Sequence, residues 1–208
     1  DRAALRRQWH IEADAAVVLF GADSIQNRRK GFDLLLAALA ALATQAPERP
    51  ITLAAFGSLA ADFTPPAGFR FVHLGDISDE SRLPEVYGLA DLLVLPSRED
   101  NLPNTAVEAL ACGIPVVGFR VGGLPDIVVD GETGWLAAPG DVDALAALIL
   151  RVLAEQTPAA WSERCRAKAE SDFDSHRQAE KYRQLYLELL TAQEGRMTFA
   201  SPAEQLNW

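Results

Sequence analysis

Cysteine is scarce in this 208-residue sequence, which contains only Cys112 and Cys165. Two thiols cannot form the disulfide framework of a small secreted domain, so a reducing compartment is expected. Histidine is equally thin. His10, His73 and His176 are scattered, and no spacing resembles a metal-ligand set, so no metal is expected. Positive charge is in deficit, with 19 Lys and Arg against 29 Asp and Glu and a formal net charge of −10. A chain that grips nucleic acid or an anionic membrane has the opposite balance, so no nucleic-acid partner is expected. Arg28-Arg29-Lys30 is a local basic cluster within that acidic background. No apolar run approaches the ~18 residues of a membrane-spanning helix. No signal peptide is visible either, and a cytoplasmic location is expected. Methionine occurs once, at Met197, and the first residue is Asp1. The chain is therefore expected to be a processed or excised piece, with any partner domain before residue 1.

What is present is an alternation of strand and helix signals. With 49% hydrophobic residues, the chain can bury most of its apolar surface as one domain. Apolar runs at 15–20, 51–56, 69–73, 92–95 and 115–119 read as strands, most of them stopped by glycine, and 134–137 as a short sixth. Between them, 31–43 has helical spacing through Phe32, Leu35, Leu36, Leu39 and Leu42. Ser78 is a candidate N-cap for a helix to about Leu89. A helix follows Pro103, and further helices are expected at 141–155, 161–172 and 175–193. Residues 1–14 read as a lead-in helix or linker and 194–208 as a loose tail. Strands separated by helices imply parallel pairing with right-handed crossovers, hence an α/β doubly wound parallel sheet of Rossmann-like type over 15–193. In that architecture ligands bind outside the carboxyl ends of the strands. The loops there are 21–30, 57–61, 74–79, 96–104 and 120–126.

Those loops carry the candidate chemistry. Asp100 and Glu108 are eight residues apart, one at a helix mouth and one about a turn inside it. Glu108 runs into an apolar helix end, where a carboxylate must be paired or hydrogen-bonded, and a ribose diol is a suitable partner. A solvated helix face is the plain alternative. Pro103 suits a first helical position, leaving the N–H groups of Asn104, Thr105 and Ala106 without helix partners and open to an anion. An ordinary capped helix is the alternative there. Lys30 can reach a diphosphate as a point charge, and Gly31 lets the backbone approach closely. Gly122-Gly123 allows either a turn or the approach of a ligand. Phe32, Phe56 and Phe71 read as core, and Tyr182 and Tyr186 as helix packing.

Several stretches together resemble the carboxyl-terminal, donor-binding domain of the retaining GT-B glycosyltransferases of family 4. These are the acid–seven residues–acid motif Asp100 to Glu108, Ala90-Asp91 with Leu95-Pro96-Ser97, and Ala109-Leu110-Ala111-Cys112-Gly113-Ile114-Pro115. Val121-Gly122-Gly123-Leu124-Pro125-Asp126, Asp130-Gly131-Glu132-Thr133-Gly134 and Lys30-Gly31-Phe32 match as well. The resemblance covers about residues 3–190. It implies the C-terminal half of a GT-B fold, the N-terminal acceptor domain being absent from this chain. The implied activity is transfer of a sugar from an NDP-sugar to a saccharide or lipid-linked acceptor, with no cofactor. The full-length protein would be compatible with peripheral membrane association.

By position, the resemblance assigns Lys30 to the donor diphosphate and Asp100 to the donor sugar, as the catalytic pair. It assigns Asn101, Leu102, Pro103, Asn104 and Thr105 to sugar hydroxyls and phosphate, and Glu108 to the nucleotide ribose. Gly21 and Arg29 complete the donor set. The family's first acid is usually glutamate, and an arginine usually follows the glycine after the first strand. Here that glycine, Gly21, precedes Ala22-Asp23-Ser24, which leaves Arg28 or Arg29 to supply a second positive charge. Base selection is expected near Asp76-Ile77. The rivals are another GT-B enzyme, such as a sugar-nucleotide epimerase or a phosphorylase, and a nucleotide-sugar-binding module without catalysis.

Overall fold

The computed structural model describes residues 1–44, 49–65, 67–155 and 158–197. Its contacts divide the chain into two units, Asp1–Ala169 and Glu170–Trp208. The first unit is built on six strands: β1 (Ala16–Ser24), β2 (Ile51–Ser58), β3 (Arg70–Gly75), β4 (Leu92–Leu95), β5 (Val116–Phe119) and β6 (Gly134–Ala137). All neighbouring strands pair in parallel, in the order β3-β2-β1-β4-β5-β6. The chain thus winds outward from β1 in one direction, then returns to β1's other side and winds outward in the other. This is the Rossmann-like doubly wound architecture expected from the strand and helix alternation.

The helices are α1 (Arg2–Gln8), α2 (Phe32–Ala43), α3 (Leu83–Gly88), α4 (Asn104–Ala111), α5 (Leu124–Ile127), α6 (Val142–Ala154), α7 (Pro158–Asp172) and α8 (Ser175–Met197). The central strands β4 and β5 are buried along their whole length, as strands covered on both faces must be. On one face, Leu35, Leu39 and Leu42 of α2 meet Leu145, Ile149 and Val152 of α6 over Val18, Leu92 and Val117. Within the second unit, α8 exposes Tyr182, Leu185, Tyr186, Leu189 and Leu190. The two tyrosine rings lie 6.5 Å apart, and both are exposed. No helix among the described residues is long and apolar enough to cross a membrane.

The structure redraws several local expectations. β1 does not stop at Gly21 but continues to Ser24, with a register shift between those residues. The glycine is needed because the Phe56 ring lies where a Cβ would sit. Asp79, not Ser78, caps the next turn, accepting from the Ser81 N–H at 3.0 Å. That turn is a short 3-10 segment leading into α3, which starts only at Leu83. Pro103 is the N-cap of α4, one position earlier than expected, with extended backbone at φ −69° and ψ 112°. The helical end of the chain continues through Gly195 to Met197, and 198–208 lie outside the described residues.

At the amino ends of the strands, Arg6 is buried at 6% exposure. Its guanidinium donates to the carbonyls of Leu89 and Ala15 and to Asp91 Oδ2 at 2.9 Å. Asp91 also accepts from the Val17 N–H at 2.7 Å, which fixes the entry of β4 against β1. Removing one member of a buried, hydrogen-bonded pair leaves the other uncompensated. Arg6→Ala is therefore expected to lower unfolding stability by about 3 kcal/mol. Urea denaturation of the two proteins measures it.

Candidate functional site

Where the strand order reverses, the loops after β1 and β4 leave in opposite directions and open a crevice. A cavity of about 300 Å³ lies there. From β1 and the loop after it come Gly21, Ala22, Asp23 and Lys30; from β2, Phe56 and Gly57; from the loop after β3, Asp76 and Ile77. The loop after β4 and the start of α4 supply Asp100 and Leu102 to Thr105.

The loop after β1 is held in place by local bonds. The Asn27 side chain accepts from the Arg29 N–H at 3.1 Å and closes the 3-10 turn Arg28–Lys30. Gly31 then takes a left-handed conformation, φ 72°, with the Pro96 carbonyl against its α-carbon. Lys30 is thereby directed at Asp100, and Nζ donates to Oδ2 at 2.8 Å, with the two side chains only 19% and 10% exposed. Asp100 also accepts from the buried Ser97 hydroxyl at 3.4 Å. The two loops are laced together by Arg98. Its N–H donates to the Arg29 carbonyl at 2.8 Å, and its guanidinium donates to the Arg28 carbonyl. Both oxygens of Asp33 accept from the same guanidinium at 2.8 and 2.7 Å. That fork holds the Asp33 carboxyl below the usual carboxylate range, the Arg98 hydrogen bonds being the main cause.

Gly122 and Gly123 serve the same loop from behind. A Cβ on either would strike the carbonyl of Asp100 or Asn101. The Gly123 N–H donates to the Asn101 carbonyl at 2.5 Å. The double glycine thus admits the chain's own backbone, and through it sets the position of Asp100.

The α4 start has no side-chain cap, and the Ala106 N–H, expected to be open to an anion, instead donates to the Pro103 carbonyl at 3.0 Å; Asn104 and Thr105, at the positive end of the helix dipole, line the cavity. One turn deeper, Glu108 Oε2 accepts from the Tyr87 hydroxyl at 2.7 Å. Tyr87 is fully buried, edge-on to Phe56 of the cavity wall at 6.0 Å. Burial, and after it the Glu108 hydrogen bond, pushes the phenol well above its ordinary pKa, so it stays a donor.

Of the expected site residues, Lys30, Asp100, Gly21, Leu102, Pro103, Asn104 and Thr105 line one cavity. Glu108 is not among the lining residues, and its carboxylate is joined through Tyr87 to Phe56 of the wall. Asn101 contributes its carbonyl to the glycine contact rather than to the lining. Arg28 and Arg29 are exposed and do not line the cavity. Among the described lining residues Lys30 is the one base, against Asp23, Asp76 and Asp100. Sequence reasoning passed over Tyr87, Arg98 and Asp23. A buried tyrosine always needs a hydroxyl partner, which was the available signal for Tyr87. Its partner lies a full strand and helix away. The thiols offer no nucleophile here: burial raises Cys112 and pushes Cys165 up to about 12.

Comparison with known proteins follows this geometry. The family model "Glycosyl transferases group 1" matches residues 15–155. Over 166 residues the chain is 36% identical to D-inositol 3-phosphate glycosyltransferase 2 of Catenulispora acidiphila, an alignment that covers 72% of this chain and 38% of that protein. Among solved structures, sucrose-phosphate synthase from Thermosynechococcus elongatus superposes with a TM-score of 0.72 at 32% identity, covering 91% of this chain and 49% of that one. Anabaena HepE, solved in complex with UDP, gives 0.69 at 25% identity, covering 92% and 52%. The chain therefore spans about half the length of these solved proteins and less of the curated relative.

Because Gly122 sits at φ 51° with the Asp100 carbonyl behind it, Gly122→Ala must displace the acid-bearing loop. A destabilisation of about 1–3 kcal/mol is expected, since strain at a left-handed position adds to the clash. Thermal and urea unfolding check this. An unchanged midpoint would mean that the loop is not braced from behind.

Proposed function

Because the chain belongs to the group 1 glycosyl transferases, we propose that it is the donor-binding half of an NDP-sugar-dependent, retaining enzyme. The observation that carries this reading is the meeting of Lys30, Asp100 and the uncapped start of α4 in one crevice at the strand-order reversal. That crevice offers what a sugar joined to a nucleoside diphosphate needs. The diphosphate lies against the Lys30 ammonium and the first-turn N–H groups of α4. The helix N–H groups are fixed in advance, and Lys30 joins them on leaving Asp100, so both stabilise charge as it develops on the leaving diphosphate. Asp100, once Lys30 turns to phosphate, is free to accept from a hydroxyl of the donor sugar. Glu108 accepts from the ribose diol through the oxygen that Tyr87 does not occupy. The bond from the sugar's anomeric carbon to the diphosphate breaks. A new bond forms from that carbon to an acceptor hydroxyl, whose proton passes to the departing diphosphate, with configuration kept.

The acceptor, a saccharide or lipid-linked sugar, would be bound by a part of the protein outside these residues. No resident cofactor is invoked. The base would be read at the cavity edge formed by Asp76 and Ile77. A second reading, a nucleotide-sugar-binding module without catalysis, is favoured by one observation. The cavity's single base is already neutralised by Asp100, and Ala22 and Asp23 stand where a second cation would assist the leaving group.

Calorimetric titration with UDP, GDP and ADP tests the site. Lys30→Ala and Glu108→Ala should each weaken binding of the preferred diphosphate about tenfold or more, as loss of a charge-assisted contact implies. Undiminished binding in both variants would defeat the proposal. Asp100→Asn should act in the opposite sense on the bare nucleotide. It releases Lys30 from a competing carboxylate and should tighten UDP about fivefold, equivalent to about 1 kcal/mol. In the full-length protein the same substitution should depress sugar transfer. A protein that binds the donor through these residues but never transfers sugar would be the binding module.

A further inference from the structure

Three elements meet at one hydroxyl beside the crevice. Tyr87 lies near the end of α3, Phe56 near the end of β2, and Glu108 one turn into α4. Tyr87 has no exposed surface, so its phenol touches no ligand. Its ring stands edge-on to Phe56 with 6.0 Å between centroids, and its hydroxyl donates to Glu108 Oε2 at 2.7 Å. Phe56 in turn fills the place where a side chain on Gly21 would begin. Gly21, Phe56, Tyr87 and Glu108 thus form one packed line, and the first two line the donor crevice.

A second route joins Glu108 to the crevice. Asn104 and Thr105, four and three residues before it, share its face of α4 and line the cavity. Glu108 itself is half-buried. Among the described residues, the Tyr87 hydroxyl is the one hydrogen-bond partner of its side chain. A glutamate side chain turns about several bonds, and ordering it on binding costs rotamer freedom. A hydrogen bond from a buried, fixed phenol removes part of that cost in advance. Burial, and after it the bond to Glu108, raises the phenol pKa, so the hydroxyl remains a donor to the carboxylate. Packing alone would not require that hydroxyl, since phenylalanine presents the same ring to Phe56.

We infer that Tyr87 is a positioning residue for nucleotide selection: by holding Glu108 in place, its hydroxyl sets a preference for ribonucleoside over deoxyribonucleoside diphosphates. This role rests on the donor-site reading, in which Glu108 accepts from the ribose diol, and it names what directs that carboxylate. A deoxyribose lacks one of the two hydroxyls of the diol. A carboxylate already held in place gains the full worth of the extra donor, whereas a swinging one gives part of it back in lost rotamer freedom.

The test is calorimetric titration of UDP, GDP and ADP, each beside its 2′-deoxy and 3′-deoxy counterparts. The proteins compared are the wild-type chain, Tyr87→Phe, Glu108→Ala and the double variant. Wild type should prefer the ribonucleotide of its favoured base about tenfold over at least one deoxy form, as one charge-assisted hydrogen bond implies. Tyr87→Phe should cut that preference to about twofold by weakening the ribonucleotide alone. Unchanged binding of the deoxy forms also reports that this variant is folded. Glu108→Ala should remove the preference, and adding Tyr87→Phe to it should leave the remaining ratio unchanged, the non-additivity of two residues that act through one contact. A full preference retained in Tyr87→Phe but lost in Glu108→Ala overturns the inference and leaves the donor site standing. A wild type that prefers no ribonucleotide, or a Glu108→Ala variant that keeps the preference, overturns it together with the ribose role of Glu108. Loss of all nucleotide binding in Tyr87→Phe, deoxy forms included, overturns it too, because the hydroxyl would then serve the fold and not the selection.

Discussion

The reversal of winding about β1 is the constraint on which the rest depends. A right-handed crossover carries the chain from β1 to β2 and β3 on one side, and the return to β4 starts the same winding on the other. The loops after β1 and β4 must therefore diverge, and no loop can cross the gap between them. The crevice is a consequence of chain direction, present before any side chain is chosen. The short, wholly apolar strands β4 and β5 secure it from below, because strands buried on both faces cannot slip register without burying polar groups.

Given that crevice, the two loops would be free to splay, and the sequence spends several residues on preventing it. Arg98 ties the loop after β4 to the 3-10 turn before α2, and Gly31 lets the Pro96 carbonyl come against that turn. Gly122 and Gly123 admit the backbone of Asp100 and Asn101 from behind. The pair Lys30 and Asp100 is thus positioned mainly by backbone contacts, which hold geometry more firmly than an exposed ion pair can. The pairing also makes the unliganded crevice nearly self-neutralised. An anionic ligand must replace one internal partner with another rather than fill an open cationic hole.

The crevice at the carboxyl end of the sheet is lined, among the described residues, by one lysine and three acids, with Arg28, Arg29 and Arg98 in the loops around it. The amino end collects three arginines around one aspartate. Guanidinium groups suit the second setting because they stay charged when crowded and partly desolvated. The first setting suits a ligand that brings hydroxyls as well as charge, since carboxylates are acceptors for the former and repel only the latter.

The alternation of apolar runs with helical spacing, and the glycines that punctuate it, were enough to read the parallel sheet and the loops at the carboxyl ends of its strands, whereas that Lys30 meets Asp100 is seen only in the structure. Such signals are local: a strand's burial shows in five consecutive residues, and a loop's role in the glycine that ends it. The strand and helix ends were less legible, as at Gly21, beyond which pairing of Ser24 with Ser58 carries the strand on after a register shift. What only the tertiary structure decided is which distant groups meet. Tyr87 reaches Glu108 across 21 residues, Arg98 reaches Asp33 across 65, and Arg2 reaches Asp91 across 89. Those encounters depend on strand order and register. They are properties of how the elements stack, and no window of sequence short enough to show periodicity contains both partners.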